Sequence, residues 1–139
     1  AMTVWVRTGG SIANVRWCIG FNFNSVYPTD DNLASLSTQA VIFRYSTPAG
    51  DTGFRPVTSN GSAQTVGTAI GTIAINTAYK LSLWVVNGVA YFAVNDGVPV
   101  AIATTMPAPT TNLQWNTRLR TLEAVNKDVL FKQLTLEMN

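Results

Sequence analysis

The sequence predicts one all-β domain, a sandwich of two antiparallel sheets packed face to face. Three observations predict it. Apolar residues alternate with polar ones at period two in several segments, the mark of a strand with one face in a core. Turn residues recur at short intervals between those segments. Hydrophobic residues make up 47% of the 139 and charged residues 12%, against a usual charged share of about 25%. Disorder requires the opposite balance.

The alternation runs through the chain in order. Val15, Trp17, Ile19, Phe21 and Phe23 alternate with Arg16, Cys18, Gly20 and Asn22. Val41, Phe43 and Tyr45 repeat the pattern, and so do Tyr79, Leu81, Leu83 and Val85. Val89–Val94 is apolar on both faces. Asn87-Gly88 joins the last two runs, a strong hairpin signal because both central residues of such a turn need positive φ. Asn95-Asp96-Gly97 closes the next hairpin before Val98, Val100 and Ile102, and Asn60-Gly61 marks another between Phe54–Thr58 and Gln64–Ile70. Asp30 to Gln39 is the best helical window, long enough for one or two turns on a loop. Pro107 and Pro109 make Met106–Thr111 an extended crossover. Leu113–Leu119 is a strand, and Val129–Met138 reads as the closing one. The whole of 1–139 is one domain, with Ala1-Met2 read as a cloning remnant.

Charge and composition exclude several functions. Net charge is +2 and the nine basic residues are scattered, so the positive cluster that holds a nucleic-acid backbone is missing. No apolar stretch approaches the ~20 residues of a membrane-inserted helix. The single cysteine, Cys18, lies in an apolar run and reads as a buried small hydrophobe.

The order Tyr79-Lys80-Leu81-Ser82-Leu83-Trp84, the Asn-Gly turn, Val89–Gly97, the proline crossover, Leu113-Gln114-Trp115 and the final strand Val129–Leu136 resembles concanavalin-A-like lectin jelly rolls. The likeness is to the variant found in tail fibres and other virion proteins of bacteriophages. Trp17–Phe21 and Val41–Tyr45 match its first core strands more loosely. The resemblance implies the C-terminal part of a longer fibre-like protein on the phage particle surface. It further implies a homotrimer and a receptor-binding role toward host cell-surface polysaccharide. The alternatives are a purely structural virion module, such as a capsid-decorating fibre or trimerisation cap, and a bacterial carbohydrate-binding module.

Catalytic chemistry is not indicated. There are no histidines, which removes His-dependent triads and most zinc sites. Glycoside hydrolysis needs two facing carboxylates, and the seven acidic residues show no strand-spaced set. Asp30-Asp31-Asn32 is the only cluster comparable to a calcium loop. It offers too few oxygens and reads instead as a helix N-cap and turn. The expectation is a non-enzyme without metal or cofactor.

A candidate binding surface follows from strict alternation. If Trp17 and Phe21 face the core, Arg16 faces away, and the same logic sends Arg44, Lys80 and Trp84 outward. Leu113, Trp115, Thr117 and Leu119 share one face, which leaves Asn116, Arg118 and Arg120 on the other with Gln114. Aromatic faces cover the C–H patch of a pyranose and planar amide or guanidinium groups bond its hydroxyls. Arg16, Arg44, Trp84, Asn116, Arg118 and Arg120 are therefore the candidate ligand-binding residues. A subunit interface, where Arg and Trp are enriched, is the preferred reading of the same residues, plain surface comes next and the glycan site last. Apolar residues on both faces of Val89–Val94 and of the last strand support the interface, with Val129 and Phe131 assigned to one side and Leu130, Leu134 and Leu136 to the other. If the face is not the site, the loops Asp30–Ser37 and Thr47–Gly53 are the next place to look.

Overall fold

The computed structural model describes residues 1–23 and 31–137. Its strands are β1 (Met2–Thr8), β2 (Val15–Asn22), β3 (Gln39–Ser46), β4 (Arg55–Asn60), β5 (Gln64–Val66), β6 (Ala78–Val86), β7 (Val89–Val94), β8 (Val100–Ile102), β9 (Gln114–Thr121) and β10 (Val129–Leu136). They form two five-stranded sheets, ordered β10-β1-β6-β7-β8 and β5-β4-β3-β2-β9, and every pairing is antiparallel. This is the sandwich that the alternation predicts.

The register explains the core. Across β2 and β3, Trp17 faces Tyr45, Ile19 faces Phe43 and Phe21 faces Val41, so matching parities send both apolar rows to the same side. Tyr79, Leu81 and Leu83 of β6 meet Val6, Val4 and Met2 of β1 in the opposing sheet. Phe43 and Phe92 bridge the two layers edge to face at 5.2 Å, and Phe54 contacts Trp17 at 5.7 Å and Tyr79 at 5.4 Å. Such ring contacts add ~0.5–1.5 kcal/mol each beyond burial.

Turn chemistry agrees with the sequence. Asn87 and Gly88 hold φ of 50° and 75°, and Asn95 and Asp96 hold 52° and 57°. Gly20 is required inside β2. Its φ is 148°, and a Cβ there would lie 2.5 Å from the Val41 carbonyl oxygen.

β1 is a central strand of its sheet and Met2 lies in the core. Three expectations need correction. The window 30–39 forms a single 3-10 turn, Ala34–Leu36, with Asp30 outside the described residues. Leu33, at the N-cap, makes no side-chain cap bond; Asn32 Oδ1 accepts from the Ala34 N–H at 3.1 Å, while the Asp31 carboxylate is held by Arg16. Val85 is exposed beside the Asn87-Gly88 turn rather than buried. Finally, β10 does not alternate strictly. Trp5 pairs with Gln133 but Val6 with Phe131, so Lys132 is the extra residue of a bulge. The bulge reverses parity: Val129, Phe131, Leu134 and Leu136 all lie opposite the inward residues Thr8, Val6, Val4 and Met2, and Leu130 lies with the outward row.

Candidate functional site

The outer side of the second sheet gathers five of the six residues expected there. Cys18 is flanked by Arg44 of β3 and Arg118 of β9, Arg16 lies beside Arg120, and Gly20 lies beside Asn116. Because directly opposed residues share a face, Arg16, Arg44, Asn116, Arg118 and Arg120 form one patch. Trp84 is not part of it. It stands on β6 of the other sheet, on the opposite outer surface.

Much of that patch is covered. Residues 31–38 cross the second sheet and bury Leu33 against Cys18, Ala40, Ile42 and Val57, a second small core. The Leu33 N–H donates to Gln64 Oε1 at 2.7 Å, which ties this segment to β5. Arg16 donates to both carboxylate oxygens of Asp31, at 2.8 and 2.9 Å. Arg44 does the same to Asp51, at 2.9 and 3.0 Å, and a third bond reaches the Asp31 carbonyl. Arg55 closes on the other side of Asp51 at 2.9 Å, and the Ser46 N–H donates to it at 3.0 Å. The two loops named as alternatives thus supply the carboxylates that hold Arg16, Arg44 and Arg55. Forked guanidinium–carboxylate geometry makes these pairs strong and directional, and here it pins loops onto a sheet.

The electrostatics follow. Burial pushes the Asp31 carboxyl up, but hydrogen bonding and charge from Arg16, with the charge of Arg44, outweigh it and hold the group below its usual range. Burial pushes the Cys18 thiol up to about 12 despite three nearby arginines, so it stays protonated and unreactive. Two further carboxylates are also paired: Asp96 with Lys80 at 2.8 Å, and Glu123 with Lys127. Among the described residues no group of three His, Cys, Asp or Glu side chains could hold a metal ion.

Two features were not foreseen. The first is an open flank where β9 and β10, the edges of the two sheets, lie over one another. Phe131, Leu134 and Leu136 point between the sheets yet are 43%, 39% and 48% exposed, and Leu130 on the other side is 60% exposed. Phe131 touches the Trp115 and Trp17 rings edge-on, and Trp115 is only partly buried. The signal was in the sequence as surplus apolar residues, but the bulge that gathers three of them on one side is not. The second is the outer face of the first sheet. Trp84 stacks on Tyr91, rings 9° from parallel with centroids 5.5 Å apart. Trp5 and Arg7 of β1 share that face with Lys80 and Ser82.

Comparisons with protein-family models, with curated proteins and with solved structures found no match to this chain.

Proposed function

We propose that this domain is a non-enzymatic assembly module, a homotrimer that forms part of a bacteriophage fibre or related virion surface structure. The observation that carries the assembly reading is the flank along β10. An eight-residue edge strand with four large apolar residues 39–60% exposed and Lys132 as its only charge is the kind of surface that isolated chains protect by short strands or charges. Burying it against another copy removes apolar area from water and satisfies the strand's outer N–H and C=O groups. The trimer and the virion setting rest on the jelly-roll resemblance of Tyr79–Leu136. Pairing of β10 with itself about a two-fold axis would close a dimer, whereas packing β10 on a different surface of the next copy closes a ring. Pairing of Asp31, Asp51, Asp96 and Glu123 with cations supports a non-catalytic role.

Light scattering tests this reading. The expected mass is three times the 15.0 kDa of one chain, falling to one chain for Leu134→Lys. A single-chain mass at high protein concentration refutes it.

A second reading, attachment to a host polysaccharide, is favoured by the Trp84–Tyr91 stack, which offers a flat aromatic platform on the uncovered side of the first sheet. Binding on a glycan array that Trp84→Ala abolishes, with the mass unchanged, is the outcome that supports it. No binding to any glycan leaves the assembly role alone.

A further inference from the structure

Beside the bulge in β10 lies a cleft that extends from the exposed flank to the outward side chains of β1. Its volume is about 560 Å³, within the ~300–1,000 Å³ typical of small-molecule sites. Trp5, Arg7, Asn76, Ala78, Leu130 and Lys132 are the side chains that matter in it. Trp5 is an outward indole, 38% exposed, in a row whose neighbours are polar. Arg7 is oriented, because its Nε donates to the Asn76 carbonyl at 3.3 Å. Asn76 is itself set by a φ of 52° and by its N–H bond to the Gly9 carbonyl at 2.9 Å. Lys132 is the unpaired residue of the bulge.

The charge arrangement here is the reverse of that on the second sheet. There Arg16, Arg44 and Arg55 meet carboxylates. Here Arg7 and Lys132 belong to no ion pair among the described residues, and none of the cleft's lining residues is acidic. Two cations at one cleft favour an anion. Guanidinium presents a fork that matches a carboxylate. The indole face and the apolar floor of Ala78 and Leu130 favour a ligand with a flat C–H surface. The Asn76 side-chain amide adds a donor and an acceptor for hydroxyl groups.

We propose that this cleft binds an acidic saccharide, with the ring on Trp5 and its carboxylate between Arg7 and Lys132. The cleft shares Leu130, Phe131 and Lys132 with the flank of the assembly reading, whereas Trp5, Arg7 and Asn76 lie outside that flank, so the oligomer's mass is followed alongside binding.

The test is a calorimetric titration of the full chain with oligosaccharides containing glucuronic acid. Their carboxyl-reduced neutral counterparts and inorganic phosphate serve as comparison probes. The acidic sugar is expected to bind at least about tenfold more tightly than the neutral one, since hydrogen bonds to charged groups are stronger than those between neutral ones. Arg7→Ala and Lys132→Ala should each weaken it about tenfold, and Trp5→Ala should abolish the accompanying change in tryptophan fluorescence. All three positions are exposed, so the melting temperature should hold. Equal affinity for acidic and neutral sugars overturns the proposal, as does phosphate competing as well as the sugar, or no binding at all. Dissociation of the oligomer by Arg7→Ala or Lys132→Ala also overturns it, because the cleft then belongs to contact with a second copy.

Discussion

Asp51 is the residue on which the covered side of the second sheet depends, and its removal gives the sharpest test of that arrangement. Its side chain is 1% exposed and it receives Arg44 Nε and a terminal Arg44 nitrogen, Arg55 Nε, and the Ser46 N–H. Asp51→Ala leaves the Arg44 guanidinium buried with the Asp31 carbonyl as its remaining bond, and it leaves the Ser46 N–H buried without its acceptor. Breaking a buried pair from one side costs about 3–5 kcal/mol. Arg55, one-third exposed, stays hydrated and adds little. A loss of about 4 kcal/mol follows. With an unfolding entropy of ~2.1 cal/mol/K per residue over this chain, that is a fall in Tm of roughly 14 °C. The assay is urea denaturation followed by tryptophan fluorescence, with the midpoint falling at constant slope. The double variant Arg44→Met with Asp51→Leu should recover more than half of the loss, because no uncompensated charge remains. A loss below ~1 kcal/mol for Asp51→Ala would mean that the pair behaves as a surface contact, and the pinning argument would fail.

Three further outcomes are expected. Asp31 is held below its ordinary pKa, so the unfolded chain binds its proton more readily; the stabilisation is present above the unfolded value and is lost as pH falls through the folded one. Asp31→Asn should therefore flatten the acid side of a Tm-against-pH curve, and an unchanged curve would show that Arg16 contributes nothing there. Gly20→Ala should destabilise the fold severely, because the new Cβ would meet the Val41 carbonyl oxygen at 2.5 Å; a variant as stable as the parent in thermal melts contradicts the described strand geometry. Cys18 should resist iodoacetamide at pH 8 in the native state and react fully in denaturant, since burial raises its pKa to about 12; rapid native labelling would show that residues 31–38 do not cover it.

The strands and hairpins were legible because their signals are local. Period-two alternation in Val15–Phe21 and Val41–Tyr45 requires only that one side be wet and the other dry, and Asn87-Gly88 announces a positive-φ turn by its residue types alone. β1 escaped notice although Met2, Val4 and Val6 alternate with Thr3, Trp5 and Arg7. Its exposed tryptophan stands on the polar row and hides the pattern.

The candidate site was legible in part. Alternation assigns Arg16, Arg44, Asn116, Arg118 and Arg120 to the non-core side of their strands, and the structure brings all five to one sheet. Alternation is blind to which sheet a strand joins, and so it grouped Trp84 with them. It is equally blind to what lies on top of a face. Asp31 and Asp51 stand 15 and 7 residues from their arginine partners, and only the return of those loops across the sheet closes Arg16 and Arg44 into ion pairs.

What this sequence determined by itself is therefore the set of strands, their turns and the side each residue takes within its strand, because backbone geometry and solvent preference act between near neighbours. The tertiary structure decided which strands are neighbours, which face is covered and where the register slips. The bulge at Lys132 is the clearest case. It depends on how β10 meets β1 across more than a hundred residues of intervening chain, and it alone places Phe131, Leu134 and Leu136 along one open flank and leaves Arg7 and Lys132 around a cleft.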